Sequence, residues 1–202
     1  MSYLDKKDAI SRMLRMDRVV LELGVGRGRT YKDSITIDRI DNEWVDVVAN
    51  LDEGLGFCPD NSVDEVYSRH FLEHVDNLEL LMQDIHRVLK AGGTMKAIVP
   101  HFSNPYYYSD YTHRRFFGLY SFSYFSESDH FRRPVPHFYN SVNFTVRSVR
   151  INITSPFPIR RRIKLLWNLL FNSCRYMQEL YEENLCYIIP AYEVAFELEK
   201  KG

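Results

Sequence analysis

A chain of 202 residues with 45% hydrophobic content is long enough to bury the core of one α/β domain. Its formal net charge of -1 provides no general attraction to nucleic acid or to a membrane, so no nucleic-acid partner is expected. Three cysteines, Cys58, Cys174 and Cys186, have neither metal-binding nor redox spacing, and their odd number argues against a disulfide scaffold. Charged residues interrupt residues 1–17, and no apolar run approaches the roughly 20 residues of a membrane-spanning helix. We therefore expect a cytoplasmic protein.

The first predicted elements lead to a glycine-rich turn. Residues 4–16 have apolar side chains at helical spacing, which predicts a short amphipathic helix at the edge of a sheet. Residues 19–23 predict a buried parallel strand that ends at Gly24, Gly26 and Gly28. Glycine is needed where the backbone bends sharply and approaches a ligand closely, so a nucleotide-type ligand is predicted at this edge.

The spacing after the glycines indicates which kind of ligand is expected. A dinucleotide fingerprint requires a glycine where Arg29 stands, followed by a helix that meets a pyrophosphate. Residues 29–33 precede the next apolar run, which leaves room for one helical turn at most. The carboxylate of Glu22 at the end of the strand would also repel a pyrophosphate. An electroneutral or cationic ligand fits this pattern better.

The next two predicted strands end in polar residues that suit a nucleoside. Residues 34–38 form a strand that ends in Asp38, whose carboxylate can accept hydrogen bonds from both hydroxyls of a ribose. Asp41 is the alternative residue for this role, and capping of the following turn is the structural alternative for the aspartate. The third predicted strand is followed by Asn50 and Leu51, and an amide oxygen there can accept from an exocyclic amine.

The first half of the chain resembles the Rossmann-like (class I) S-adenosylmethionine-dependent methyltransferases, in particular the type-11-like subfamily associated with surface-polysaccharide biosynthesis. Residues 22–28 are similar to the first motif of that family, Glu/Asp-x-Gly-x-Gly-x-Gly. Residues 55–64 are similar to its Leu-Pro-Phe-Pro-Asp-x-Ser-x-Asp stretch, with Gly56 in place of proline and Cys58 as an inserted residue. Residues 69–74, Arg-His-Phe-Leu-Glu-His, resemble the turn that joins the fourth strand to a helix in the family.

This resemblance implies a doubly wound, mostly parallel α/β sheet of seven strands, with S-adenosylmethionine as the cofactor. The implied cofactor site consists of residues at the ends of the first four strands: Glu22, Gly24, Gly26, Asp38, Asn50, Leu51, Ser68 and His70. Glu73 and His74 are expected to stabilise the turn rather than to react. A single domain is expected, with residues 1–100 binding the cofactor and residues 101–202 forming the acceptor site and a lid.

An aromatic segment, residues 101–117, follows the fifth predicted strand and is expected to form the lid. Its Asp-x-Thr-His pattern is similar to that of methyltransferases encoded with surface-polysaccharide genes. Aromatic faces next to hydroxyl, amide and carboxylate groups suit a sugar acceptor, and a lid that only packs over the cofactor is the alternative. We expect His113 to act as the general base for an acceptor hydroxyl, oriented by Asp110, with His101 as the second candidate.

The last part of the chain predicts two closing strands that flank a long helix. Residues 144–154 and 192–198 are the predicted strands, one of them antiparallel. Residues 159–181 predict one helix that is apolar on nearly all sides. Its start is basic, with Arg160, Arg161, Arg162 and Lys164. We expect this helix to pack within the domain or in a homodimer, in preference to peripheral contact with a membrane.

The sequence thus predicts a methyltransferase that acts on a sugar oxygen in polysaccharide or glycolipid assembly. An N- or O-methyltransferase of another small molecule remains open, as does a non-catalytic scaffold that keeps a nucleoside pocket. Metal dependence is a third possibility, because His101, His113, His130 and His137 all follow the predicted sheet. Their spacing matches no compact ligand motif, so no metal is predicted.

Overall fold

The computed structural model describes residues 2–127 and 129–201. Within these residues, eight strands follow one another as β1 (Tyr3–Asp5), β2 (Val20–Leu23), β3 (Ile35–Asp38), β4 (Val47–Ala49), β5 (Val63–Arg69), β6 (Leu89–Pro100), β7 (Phe144–Asn152) and β8 (Glu193–Lys200). The helices are α1 (Ala9–Met13), α2 (Leu78–Val88), α3 (Pro158–Phe171) and α4 (Arg175–Asn184). Short 3₁₀ turns occur at Leu51–Glu53, Leu72–His74, Tyr107–Ser109 and Ser121–Phe125.

All eight strands belong to one sheet with the order β1-β4-β3-β2-β5-β6-β8-β7 among the described residues. Strands β2 to β6 are parallel, and β8 runs antiparallel to both of its neighbours. The predicted doubly wound, mostly parallel sheet is therefore confirmed, including its antiparallel closing strand. The carboxyl ends of β2, β3, β4 and β5 lie at one edge, where ligands bind in such sheets.

The sheet has eight strands instead of seven because Tyr3–Asp5 adds a strand at the β4 edge. Residues 4–16 were predicted as one helix, but Tyr3–Asp5 pairs antiparallel with β4 and only Ala9–Met13 is helical. The carboxylate of Asp5 accepts hydrogen bonds from the first backbone N–H groups of the helix, at 2.7 Å from Ala9 and 3.0 Å from Ile10. The open edge of β4 and this local hydrogen bonding together decide where the helix begins.

The core lies on the sheet, and α2 covers part of one face. Leu81, Met82, Ile85 and Val88 of α2 are buried, as the spacing of three and four residues predicts. Residues 24–34 connect β2 to β3 without an α-helix, which agrees with the short spacing after the glycines. The glycine turn therefore leads directly into the second parallel strand.

The predicted helix over residues 159–181 is wrong, because the structure has two helices there. The break lies at Asn172, whose side-chain amide donates to the carbonyl of Ile151 at 2.7 Å and accepts from the Ile151 N–H at 2.9 Å. This side chain ties the end of α3 to β7 and competes with continuation of the helix. Helix α4 buries Gln178 and Tyr181, whereas α3 buries Phe171 alone of its residues. Among the described residues, no helix is long and apolar enough to cross a membrane.

Candidate functional site

Two glycines of the turn after β2 have backbone conformations that other residues rarely adopt. The φ angles of Gly24 and Gly26 are 69° and 55°. A Cβ atom on Gly24 would lie 2.3 Å from the ring of Phe71, so this position also needs the space that glycine leaves. A Cβ on Gly26 would meet no heavy atom within 4 Å, so its backbone borders open space.

Glu22 stabilises the segment that follows this turn through hydrogen bonds to its carboxylate. Its buried carboxylate accepts hydrogen bonds from the N–H of Thr30 at 2.7 Å, the N–H of Tyr31 at 2.6 Å and the hydroxyl of Ser34 at 2.6 Å. Glu22 lies outside the lining of the cavity described below, and its observed contacts hold residues 30–34 against the end of β2. Direct contact between Glu22 and a cofactor stays a prediction.

A cavity of about 260 Å³ opens at the carboxyl ends of the central parallel strands. It brings together most of the residues predicted for the cofactor site: Gly24, Gly26, Asp38, Asn50, Leu51 and His70. The lining also includes Phe71, His74, Val75 and Thr112. Thr112 belongs to the aromatic segment, so this segment does reach the edge at which the ligand is expected.

Asp38 connects the cavity to the glycine turn. One carboxylate oxygen accepts from the N–H of Gly26 at 3.0 Å and the other accepts from the N–H of Ile40 at 2.9 Å. Each oxygen has a second lone pair, so the carboxylate can still accept from two hydroxyl groups. Asp41, the alternative residue, instead pairs with Lys6, with 2.5 Å between its carboxylate and Nζ.

Asn50 and Leu51, which follow β4, also line the cavity. The Asn50 side-chain oxygen accepts from the N–H of Asp52 at 3.2 Å and caps the 3₁₀ turn that follows β4. A carbonyl oxygen has two lone pairs, so Asn50 can accept one further hydrogen bond. Leu51 is buried and provides an apolar surface beside it.

Ser68 and His70 occupy the end of β5. Ser68 is buried outside the cavity lining, and its hydroxyl has no hydrogen-bond partner among the described residues. His70 has a φ angle of 51° and lies between two carboxylates, with 2.9 Å from Nε2 to Glu193 and 3.5 Å from Nδ1 to Glu73. The hydrogen bonds to Glu193 and Glu73 raise the pKa of His70 to about 9, so the two carboxylates hold this ring in its protonated form at neutral pH.

His74 and Thr112 were not among the predicted site residues, yet both line the cavity. Nδ1 of His74 lies 3.0 Å from the Thr112 hydroxyl, and this hydroxyl donates to the carboxylate of Asp110 at 2.6 Å. The hydrogen bonds from Thr112 lower the pKa of Asp110, which keeps this carboxylate ionised. The Asp-x-Thr-His pattern marked Thr112 in the sequence, whereas nothing local distinguished His74 from a residue that only shapes a turn.

His113 packs beside His74 but does not line the cavity. The centroids of the two imidazole rings are 4.9 Å apart. Nδ1 of His113 lies 3.0 Å from the carbonyl oxygen of Tyr107, and Nε2 lies 3.6 Å from the Asp110 carboxylate. The close orienting partner of His113 is therefore the Tyr107 carbonyl, and the predicted partner, Asp110, bonds more closely to Thr112.

His101, the second predicted base, lies away from the cavity. Its ring is fully buried, with Nδ1 at 2.8 Å from the Ser103 hydroxyl and Nε2 at 3.2 Å from the Glu182 carboxylate. Both ring nitrogens are thus engaged inside the protein. This location does not support a role for His101 in removing a proton from an acceptor.

Among the residues that the structure describes, one group of side chains could hold a metal ion. Glu73, His74 and His113 each place one ligand atom within 4.8 Å of the others. Of the histidines weighed for a metal from the sequence, His130 instead bonds to a backbone carbonyl and His101 to Glu182, so that set does not assemble. The Glu73 carboxylate already faces the protonated His70, so a metal ion would share it with another cation.

The aromatic segment is attached to the turn after β5. The backbone N–H groups of Arg114 and Arg115 donate to the carbonyl of Glu73 at 2.7 Å and 3.2 Å. The buried Tyr107 donates its hydroxyl to the Arg115 carbonyl at 2.6 Å. The aromatic residues that remain exposed in this segment are Tyr106, Tyr108, Tyr111 and Phe116.

Comparison with known families indicates a methyltransferase domain in the part of the chain that contributes most of the cavity lining. A methyltransferase domain family matches residues 35–96, which span β3 to β6 except for the last residues of β6. This match includes Asp38, Asn50 and His70 but not the glycine turn. No curated protein matches the chain.

Several solved structures share the fold at low sequence identity. A S-adenosylmethionine-dependent methyltransferase from Archaeoglobus fulgidus is 18% identical, with a TM-score of 0.60, and the alignment covers 94% of this chain and 89% of that one. A protein described as a methyltransferase from Bacillus halodurans C-125 is 16% identical, with a TM-score of 0.57 and coverage of 96% and 99%.

Phosphoethanolamine N-methyltransferase 2 from Haemonchus contortus, solved with S-adenosylmethionine, is 15% identical with a TM-score of 0.52. The alignment covers 96% of this chain and 51% of that enzyme. The fold and the matched domain confirm the predictions of a methyltransferase and of its cofactor. Residues 35–96 thus match a methyltransferase domain, and the chain has the Rossmann-like fold of the S-adenosylmethionine-dependent methyltransferases.

Proposed function

We propose that this protein methylates a sugar hydroxyl during polysaccharide or glycolipid assembly. The observation that carries the proposal is the hydrogen-bonded chain from His74 through Thr112 to Asp110 at the cavity. A hydroxyl acceptor must lose its proton as its oxygen is methylated, and a neutral imidazole at this position can accept that proton.

The cavity residues are suited to hold the cofactor. Asp38 would bind the ribose and Asn50 and Leu51 the adenine, and His70 would lie at the methionine end of the cofactor. The backbone at Gly26 borders open space and allows close approach of a ligand. When bound, S-adenosylmethionine supplies an electrophilic methyl group.

We assign the role of general base to His74. If Nδ1 of His74 donates to the Thr112 hydroxyl, which in turn donates to Asp110, the lone pair of the neutral ring lies on Nε2. His113 remains the alternative base, because the Tyr107 carbonyl holds its Nδ1 proton and likewise leaves a lone pair on Nε2. His74 is preferred because it lines the cavity and His113 does not.

A sugar acceptor is supported by the aromatic residues near Thr112. Exposed rings of Tyr108, Tyr111 and Phe116 offer flat faces against which a sugar ring can stack. Hydroxyl groups of a sugar need hydrogen-bonding partners, and the same segment supplies polar side chains such as Asp110.

Two measurements test the proposal. Calorimetric titration with S-adenosylhomocysteine measures cofactor binding, and transfer of a labelled methyl group to a panel of nucleotide sugars, oligosaccharides and amines identifies the acceptor. We expect saturable binding and a label in an alkali-stable ether of a sugar. A label found only in amines would replace the sugar with another acceptor class. Binding without transfer to any acceptor would favour a non-catalytic nucleoside-binding protein.

A further inference from the structure

Helix α3 exposes a large apolar surface that no other part of residues 2–127 and 129–201 covers. Its exposed apolar residues are Ile159, Ile163, Leu165, Leu166, Leu169 and Leu170. Scattered single apolar residues are normal on protein surfaces, but a continuous patch on one helix marks a surface that contacts something else.

The apolar residues of α3 lie on the side that faces away from the sheet. Ile159, Ile163, Leu166 and Leu170 are spaced four, three and four residues apart and form one stripe. The inner side is fixed by Lys164, which donates to the carbonyl of Pro190 at 3.2 Å, and by the buried Phe171. Asn168 also faces inward and accepts from the N–H of Ile153 at 3.2 Å. The apolar stripe therefore points outward.

The same helix is strongly basic. Arg160, Arg161 and Arg162 are exposed at its start, and the sequence of α3 contains no aspartate or glutamate. An outward apolar face with arginines beside it and Trp167 at its margin has the composition of a helix that lies in the interface of an anionic bilayer.

A second copy of the chain fits this surface less well. Pairing two copies of α3 would cover the apolar stripes but would place two acid-free basic helices against each other. Anionic lipids supply both an apolar layer for the leucines and negative charge for the arginines. Charge complementarity therefore selects the lipid surface.

The start of α3 lies near the functional edge of the sheet. Arg160 and Lys164 line one small cavity together with Tyr106 of the aromatic segment and Tyr192. The residue after Tyr192 is Glu193, which pairs with His70 at the cofactor cavity. A surface that contacts α3 would therefore lie close to the edge that accepts substrate.

We propose that α3 docks this protein in the interface of an anionic lipid bilayer. The docking requires only the apolar stripe and the arginines, so it does not depend on the identity of the acceptor. An acceptor attached to a lipid would reach the protein at the same membrane surface.

Co-sedimentation with vesicles tests the docking. We expect the protein to bind vesicles of phosphatidylglycerol and phosphatidylcholine, and to bind less in high salt or to phosphatidylcholine alone. Leu166→Glu should lower the partition coefficient roughly tenfold or more, because a charge replaces an apolar side chain that enters the bilayer on docking. Arg162→Glu should lower it roughly fivefold or more.

Leu14→Glu is the matched control, because Leu14 is 68% exposed, close to the 69% of Leu166. Leu14 follows α1, whose preceding strand β1 lies at the other edge of the sheet from β7. This variant should bind vesicles as the parent does. Thermal unfolding of each variant should show an unchanged midpoint, since both leucines are exposed. The only other tryptophan is Trp44, so in a Trp44→Phe variant the emission of Trp167 should shift to the blue on docking.

Equal binding by the parent and Leu166→Glu would overturn the proposal. So would a dimer in analytical ultracentrifugation that Leu166→Glu dissociates while the parent does not bind vesicles, since this result would assign the stripe to a second copy. Neither measurement involves S-adenosylmethionine, so a failure here is distinguishable from a failure of the proposed methyl transfer.

Discussion

The imidazole of His70 donates a hydrogen bond to the carboxylate of Glu193, with 2.9 Å between Nε2 and Oε2. This pair joins the end of β5 to the start of β8, although the two residues are 123 positions apart in the chain. The contact also lowers the pKa of Glu193, against the opposing effect of burial. It places a charged pair beside the cavity at the ends of the parallel strands.

The first prediction concerns the pH dependence of stability through His70. Because hydrogen bonds to Glu193 and Glu73 raise its pKa from 6.5 to about 9, its contribution is fully present below pH 6.5 and is lost as the pH rises through 9. Urea unfolding of the parent and of His70→Gln should therefore show a free-energy difference that shrinks between pH 6.5 and pH 9. A difference that grows over this window would contradict the assignment.

The second prediction concerns Asp38 and the ribose. Asp38→Ala removes charge-assisted hydrogen bonds worth about 1.5–3 kcal/mol each, so affinity for S-adenosylhomocysteine should fall at least roughly tenfold. Asp38→Asn should retain part of the affinity for S-adenosylhomocysteine, because its amide oxygen can still accept a hydrogen bond from one ribose hydroxyl. Calorimetry on the folded variants measures both effects. Asp41→Ala is the control, and a larger loss in that variant would transfer the ribose contact to Asp41.

The third prediction separates the two candidate bases. His74→Gln should lower kcat by about 10²–10⁴-fold while affinity for S-adenosylhomocysteine stays near that of the parent. Thr112→Val, which removes only the hydroxyl between His74 and Asp110, should give a smaller loss of the same kind. If His113→Gln abolishes turnover and His74→Gln does not, the base is His113, as the sequence predicted.

The fourth prediction concerns Asp46, a buried carboxylate between β3 and β4. It accepts from the cations of Lys7, Arg12 and Arg29 at 2.8 Å, 3.3 Å and 3.1 Å. Although burial opposes ionisation, the hydrogen bonds from Lys7 and the Thr36 N–H hold its pKa below the ordinary 3.8. Its contribution is therefore present above pH 3.8 and is lost as the pH falls through the lowered pKa.

Asp46→Asn should lower the free energy of unfolding at pH 7 by about 1–3 kcal/mol, because the partly exposed cations lose a charged acceptor. Urea titrations at several pH values provide the measurement, with Asp8→Asn as an exposed control. The difference between parent and Asp46→Asn should vanish in strong acid. A difference in the free energy of unfolding that persists in strong acid would show that side-chain packing, rather than charge, matters at this position.

The fifth prediction compares two glycines in the same turn. Gly24→Ala should impair folding or cofactor binding severely, because the new Cβ would overlap the ring of Phe71 in addition to requiring positive φ. Gly26→Ala meets no such atom and should cost about 1–2 kcal/mol for the backbone conformation alone. Thermal unfolding and titration with S-adenosylhomocysteine compare the two variants. Equal effects would show that the clash with Phe71 is not what makes Gly24 necessary.

The sequence by itself determined the parallel strands and the residues at their ends. Strand ends meet at one edge of a parallel sheet, so Gly24, Gly26, Asp38 and Asn50 could be placed at one site from their positions after apolar runs. This inference works because it needs only local periodicity and the rule that governs where ligands bind in such sheets.

The tertiary structure alone decided that His74, and not His113, lines the cavity. His74 and Thr112 are 38 positions apart, and their contact depends on how the aromatic segment packs against the turn after β5. The break at Asn172 likewise depends on a hydrogen bond to β7 across 21 positions. Local propensity contains no information about such long-range partners, so helix periodicity predicted one helix and the motif favoured His113. Only the packed structure shows that the described residues leave the outer face of α3 uncovered, because exposure depends on every element that could have packed there.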